Sequence, residues 1–460
     1  MSQTMENNLT EGNVLKKLIS FSLPFLVSNI IQSFYNVADM LIVGQFCGPE
    51  SMSGVNIGGQ VTFILTNIIV GLCVGATVLI GQYVGSGNRD GLKKTTATII
   101  TLLLGAAVII TAVMLIFKGP VLGLIRTPAE SLSESDDYLT VTVIGLVFIF
   151  GYNALSAILR GMGDSKHPFY FILIACVTNV VLDLLFVAVF GWKAFGAALA
   201  TVISQALSMI LCIAFMIKNH FQFDFKLRSF KIDKEQLRLI LKIGLPTCIQ
   251  NAITSISFLF ITAIVNTVGT VNSSAAVGAV GKFNSFAFMP ALAMSASVST
   301  MSAQNIGAGR MDRAVKACVI GTVFSVCVTY VFFFIVQLFP EQILTLFDDD
   351  PNMIADGVTY MRSFCYDFLL IPFIFCINGL LIGGGHTMFT LITSILSSVL
   401  LRVPVCYFFG ITLDWGLAGV GYGAPVASAG ALLLIIGFLI SGRWKHNAVK
   451  PVPVEAIPPA

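Results

Sequence analysis

Charge is what this chain has least of. Only 11% of its residues are Asp, Glu, Lys or Arg, against 56% hydrophobic, and its mean hydropathy is +0.90. A soluble domain cannot cover its surface with so few charges, which excludes a water-borne globular fold. The formal net charge of +3 is too small to call for nucleic acid. Ten cysteines sit almost entirely in apolar stretches and form no C-x-x-C pair, so they read as small core residues rather than disulfides or a metal site. None of the four histidines (His167, His220, His386, His446) lies mid-span, and no H-E-x-x-H occurs. There is no G-x-x-x-x-G-K-[ST], and no loop is large enough for an ATPase domain. No enzyme, nucleotide or cofactor is therefore expected. The start, MSQTMENNLTEGN, lacks the charged-then-apolar pattern of a cleaved signal, which leaves targeting to the first apolar run.

What the chain does have is apolar runs of 20 or more residues, each long enough to cross a hydrocarbon core of ~30 Å. They predict an all-α integral membrane protein with twelve spans: 18–46, 53–81, 93–117, 138–159, 168–190 and 195–217, then 240–266, 275–301, 315–338, 358–381, 388–409 and 416–440. The expected organisation is an N-lobe over 1–217, a basic linker over 218–239, a C-lobe over 240–440 and a Pro-rich tail over 441–460. Twenty Lys and Arg fall on one side of this scheme, against four on the other (Lys118, Arg126, Lys193, Arg362). By the positive-inside bias both termini are cytoplasmic.

The chain also repeats. A uniform shift of 222 carries Pro24 to Pro246, Asn29 to Asn251, Gln82 to Gln304 and Gly85, Gly87 to Gly307, Gly309, so GQYVGSGNRDGLKK and AQNIGAGRMDRAVKA are one motif written twice. Each half holds an even number of spans. The two six-helix bundles should then be related by a pseudo-two-fold axis along the membrane normal, the layout of an alternating-access transporter. A channel would need a filter or a charged ring, and neither is visible.

Polar residues inside the spans carry the chemistry. Asn179 and Asp183 lie four apart, on one face of the run 168–190. A carboxyl at that depth costs about 2.5 to 3.5 kcal/mol on insertion scales, so it points to function. The first span carries Asn29, Gln32, Asn36 and Asp39 as a stripe. Counted from Gly48 and Gly191, Asp39 and Asp183 both lie roughly 12–14 Å below one boundary, and Thr201 descends to within a turn of that depth, with Gln205 one turn below. Asp39, Asn179, Asp183 and Thr201 make an all-oxygen set suited to a hard cation such as Na⁺, and two close carboxylates would equally share a proton. The shift of 222 sends Asp39 to Ile261 and Asp183 to Val405, so the second half lacks these acids. Three charges remain there: Lys282 in place of Gln60, Asp367 and Arg402.

SLPFLVSNIIQSFYNVADMLIVGQFCG, QYVGSGNRDGLKK, LRGMGDSKHPFYFILIACVTNVVLDLLF and AQNIGAG resemble the multidrug and toxic compound extrusion (MATE) family, over about 14–440. Asp39 and the Asn179–Asp183 pair resemble its prokaryotic branch named for DNA-damage-inducible protein F. The resemblance implies a secondary antiporter of the inner membrane that exports cationic, amphipathic compounds in exchange for Na⁺ or H⁺, with Asp39, Asn179, Asp183 and Thr201 as the cation or proton site. It also implies a working monomer. Tyr35, Asn36, Gln60 and Asn153 are expected to line the substrate cavity near the acids, together with Gln205 and Lys282. The other readings are a lipid-linked-oligosaccharide flippase of the same superfamily, which should carry several cations in its cavity, and a non-transporting scaffold.

Overall fold

The computed structural model describes residues 8–446 apart from 220, 222 and 224; the side chains of Asn36 and Leu227 also lie outside the described part. Among the described residues every regular element is helical. Lipid offers no partner to a backbone N–H or C=O, so helices that satisfy their own backbone are the natural outcome for runs this apolar.

Among the described residues nine helices are each long and apolar enough to cross a membrane, and two bent helix pairs make one crossing apiece. One of the nine, Val14–Ser86, runs for 73 residues. At 1.5 Å per residue that is ~110 Å, several times the hydrocarbon thickness. It is two helices joined at Gly48 (φ 81°, ψ −179°), directly before Pro49. A positive φ followed by a proline ends one helix and starts the next. The total is twelve spans in two six-helix bundles. Spans 1 and 2 are the two parts of Val14–Ser86. They are followed by Arg89–Leu124, the pair Ala129–Ile144 and Leu146–Gly161, Lys166–Val189 and Lys193–Lys218 as spans 3 to 6. Spans 7 to 12 are Lys234–Val268, Val271–Gly307, Met311–Leu338, the pair Pro351–Leu369 and Ile371–Gly383, Thr387–Thr412 and Gly416–Ile440.

Spans 4 and 10 start earlier than expected, at 129 rather than 138 and at 351 rather than 358. Acids that read as loop are held in helix instead. Asp136 pairs with Lys118 at 2.6 Å, and Glu134 pairs with Lys193 at 3.3 Å while accepting from Ala194 N at 3.2 Å. Asp350 caps the start of span 10 by accepting from Asn352 N at 2.8 Å and Met353 N at 3.4 Å. The 48° bend of span 4 falls at Gly145, and Thr111 Oγ1 donates to Val143 O there at 2.7 Å.

Among the described residues the chain divides into two compact units, one containing Leu23–Gly244, the other containing Leu9–Ser22 and residues 245–446. The breaks after Ser22 and Gly244 are related by the same shift as the sequence motifs. In the first unit the 218–239 segment and the start of span 7 are fastened by Gln236, only 3% exposed, whose Oε1 accepts from Tyr83 Oη at 2.9 Å and Thr95 Oγ1 at 2.8 Å. In the second unit Leu9 N donates to Gln304 Oε1 at 3.0 Å and Arg310 Nη1 to Thr10 O at 2.7 Å, while Leu18 and Phe21 pack with Met294, Val298 and Met301.

Close packing repeats with the sequence. A Cβ at Gly161 would stand 2.9 Å from Thr77 O, and one at Gly383 would stand 2.6 Å from Ser299 O, the same contact one repeat later. Past span 10 the register changes by one. Trp192 N donates to Phe186 O, and its counterpart is Trp415 N to Phe409 O, a shift of 223 in place of 222. The extra residue is taken up in span 11, which has a π-helical turn at Leu396–Arg402 that span 5 lacks; the later π turn, Phe408–Thr412, matches Leu184–Val189. A π turn closes over one more residue than an α turn, so an insertion is absorbed without breaking the span. Asp183 therefore corresponds to Cys406, not to Val405 as the uniform shift of 222 has it.

Candidate cation site

Span 5 buries two polar side chains completely: Asn179 and Asp183 are both 0% exposed. Span 1 brings Asp39, 5% exposed, with its carboxyl beside that of Asp183. The helix ends that set their depth are Gly48 and Gly191, both with positive φ. Directly after Asp183 the helix widens into the π turn Leu184–Val189, a distortion frequent at functional sites.

Around the acids stand hydroxyls. Tyr35 Oη donates to Thr201 Oγ1 at 3.0 Å, tying span 1 to span 6. Tyr35 and Tyr138 both face the two carboxyls, and the Tyr138 hydroxyl approaches Thr201. Cys176, one turn before Asn179, lies within electrostatic reach of Asp39.

Five polar atoms here are buried and have no hydrogen-bond partner among the described residues: Asp39 Oδ1, both polar atoms of Asn179, and both oxygens of Asp183. An unpaired buried polar group costs about 1–3 kcal/mol, and more when charged. Two carboxylates ~4 Å apart repel by about 4 kcal/mol at an effective dielectric of 20. Both costs vanish when a cation sits between the oxygens or a proton is shared by the acids. Among the described residues no three His, Cys, Asp or Glu side chains gather into a group that could hold a metal ion; the oxygens of Asp39, Asn179 and Asp183 are donors of the kind a hard cation takes.

The MatE family model matches residues 24–185 and 246–408. The chain belongs to the MatE family. The starts of its two matched segments differ by 222 and their ends by 223, the same one-residue step seen in span 11. The "Probable multidrug resistance protein YoeA" of Bacillus subtilis (strain 168) is 30% identical over 96% of this chain and 96% of its own. The "Probable multidrug resistance protein NorM" of Thermotoga maritima is 26% identical over 95% of this chain and 94% of its own. A solved structure described as the outward-facing conformation of a multidrug resistance MATE family transporter superposes with a TM-score of 0.89, covering 97% of this chain and all of that one at 23% identity. Several of these relatives are named as multidrug resistance proteins, and this chain is a multi-pass membrane protein of the same transporter family rather than an enzyme.

Of the residues expected at the site of this MatE protein, Asp39, Asn179, Asp183, Thr201 and Tyr35 converge. For the others the structure gives their local surroundings. Gln60 is exposed and donates to Asn56 Oδ1 at 2.9 Å, and Asn153 donates to Ile149 O of its own helix at 2.8 Å. Gln205 is half-buried and Lys282 is exposed. The side chain of Asn36 lies outside the described part. Tyr138 is the residue missed. The expected span 138–159 starts at this residue, whereas span 4 begins nine residues earlier and carries Tyr138 inward. Its recurrence as Tyr360 one repeat later was the available signal.

Proposed function

We propose that this protein is a secondary active multidrug antiporter of the cell membrane, with both termini in the cytoplasm, exporting cationic amphipathic compounds in exchange for Na⁺ or H⁺. Asp39, Asn179, Asp183 and Thr201 bind the coupling ion, and Tyr35 and Tyr138 frame it. The observation that carries this reading is the set of five unpartnered, fully buried polar atoms on spans 1 and 5. A cation is the smallest group that satisfies the four oxygens among them together, a shared proton relieves the two carboxyls, and the Asn179 amide nitrogen is left to donate. Occupancy draws spans 1, 5 and 6 onto a common ligand; release leaves two like charges in low dielectric, so the ion binds one conformation of the unit better than another. That differential affinity is what lets an ion gradient drive a conformational cycle. Two acids without a cation also favour positively charged cargo over anions, and the multidrug names of the relatives agree with broad specificity. No other cofactor enters, and the working unit is the monomer.

Efflux of a fluorescent cationic dye by everted vesicles under imposed Na⁺ or pH gradients tests the proposal. One of the two gradients alone should drive transport, and Asp39→Asn and Asp183→Asn should each abolish it. Gradient-driven efflux that survives both substitutions would sink the reading.

A further inference from the structure

The second unit rebuilds the scaffold of the cation site with different chemistry. Counting by 222 through span 10 and by 223 from Arg402, the last residue of the first π turn of span 11, Tyr138 becomes Tyr360, Asn179 becomes Arg402, Asp183 becomes Cys406 and Gln205 becomes Ser428. The two acids of the first unit are replaced by packing: Ile261 is 3% exposed and Cys406 is 0%, with Cys406 Sγ donating to Val420 O at 3.3 Å.

Where Asn179 stands in the first unit, the second carries a guanidinium. Arg402 Cζ lies 4.8 Å from the ring centroid of Phe258 and 5.8 Å from that of Phe364, while its Nε is buried without a hydrogen-bond partner among the described residues. Two aromatic faces flank the cation. The second unit also has an acid of its own. Asp367 is 4% exposed, lies against Ser428 and within electrostatic reach of Arg402, and its Oδ1 has no partner among the described residues. Tyr360, 4% exposed, faces both charged groups.

The two clusters therefore differ in one respect that matters for coupling. The first has two carboxyls and, among the described residues, no cation beside them. The second has one carboxyl and one permanent cation, because a guanidinium keeps its charge in proteins. We propose that Arg402 is a tethered cation, doing in the second unit what the exchanged Na⁺ or proton does in the first, so that the Asp367–Arg402 cluster is neutral on its own and the protein has a single ion-coupling site. This rests on Asp39 and Asp183 being the coupling site.

The experiment counts cations on the purified full-length protein. Equilibrium binding of ²²Na⁺ at mildly alkaline pH counts sodium, and the infrared band of protonated carboxyls counts protons. Arg402→Gln strips Asp367 of its counter-charge, and the expected result is one additional cation per chain, a twofold rise over wild type in one of the two readouts. Arg402→Gln/Asp367→Asn should return to the wild-type count, and Arg402→Lys, which keeps the charge, should not leave it. Asp367→Asn alone should also match wild type. An Arg402→Gln protein with an unchanged count in both readouts overturns the proposal. So does a count that falls in Asp367→Asn, which would mean Asp367 already holds an ion; this arm serves even where Arg402→Gln does not fold. Failure of the underlying reading shows separately, as a wild-type count that Asp39→Asn/Asp183→Asn does not lower.

Discussion

The hydroxyl of Tyr35 in span 1 donates to Thr201 Oγ1 in span 6 at 3.0 Å, across 166 residues of chain and against the buried carboxyls of Asp39 and Asp183. By accepting from Tyr35, Thr201 keeps one lone pair for a cation and its own proton for a carboxylate. The bond fixes the geometry of the oxygen set without adding charge.

Tyr35→Phe should therefore weaken, not abolish, coupling. A neutral hydrogen bond is worth about 1 kcal/mol, so the Na⁺ or proton concentration for half-maximal efflux should rise about fivefold. Thr201→Val should cost more, because it removes a ligand as well as the bond. The double variant should match Thr201→Val alone, since the second substitution has nothing left to break.

Filling the site should stabilise the protein. A cation at 100 times its dissociation constant contributes about 2.7 kcal/mol to the folded state. The melting temperature in detergent should then rise with the coupling ion, Na⁺ or H⁺, and stay flat with the same titration on Asp39→Asn/Asp183→Asn. A wild-type protein that melts at one temperature across both titrations would contradict ion binding at these residues.

Much of this was legible in the chain itself. Twelve spans follow from apolar runs that nothing soluble would tolerate, and Asp39, Asn179 and Asp183 stand out because burying them is expensive. Hydrogen-bond partners were not legible. Gln60 and Asn153 look like cavity residues, yet a side-chain amide in a helix can bond its own turn or its neighbour, as both do. Acidity was misleading at Glu134 and Asp136, which read as loop but meet Lys193 and Lys118 in helix. The register change in span 11 was hidden for a different reason. The motif identities that set the shift of 222 end before it, and a single inserted residue leaves an apolar run looking the same.

Gln236 is polar, buried and outside the cation site, so its removal tests the packing of the first unit alone. It accepts from both Tyr83 Oη and Thr95 Oγ1. Gln236→Leu leaves two buried hydroxyls without a partner, at about 1–3 kcal/mol apiece. Expression and melting temperature should fall sharply, while Tyr83→Phe/Thr95→Val in the same background should recover part of the loss.

The correspondence of Asp183 with Cys406 can be tested by packing. In the first unit span 6 presents Ala200 at the position that span 12 gives to Gly423. A Cβ at Gly423 would stand 2.1 Å from Cys406 Sγ, closer than any real contact, and 3.3 Å from Arg402 O. Gly423→Ala should thus be destabilising by about 1–3 kcal/mol, as overpacked cores are. The sulfur is the obstacle, so Cys406→Ala should relieve it, and the double variant should melt closer to wild type than Gly423→Ala does. Val405→Ala should bring no such relief, because in the register set by the π turn its side chain is one position away from the contact. Rescue by Val405→Ala in place of Cys406→Ala would restore the uniform shift of 222, and with it would remove Arg402 from the place of Asn179.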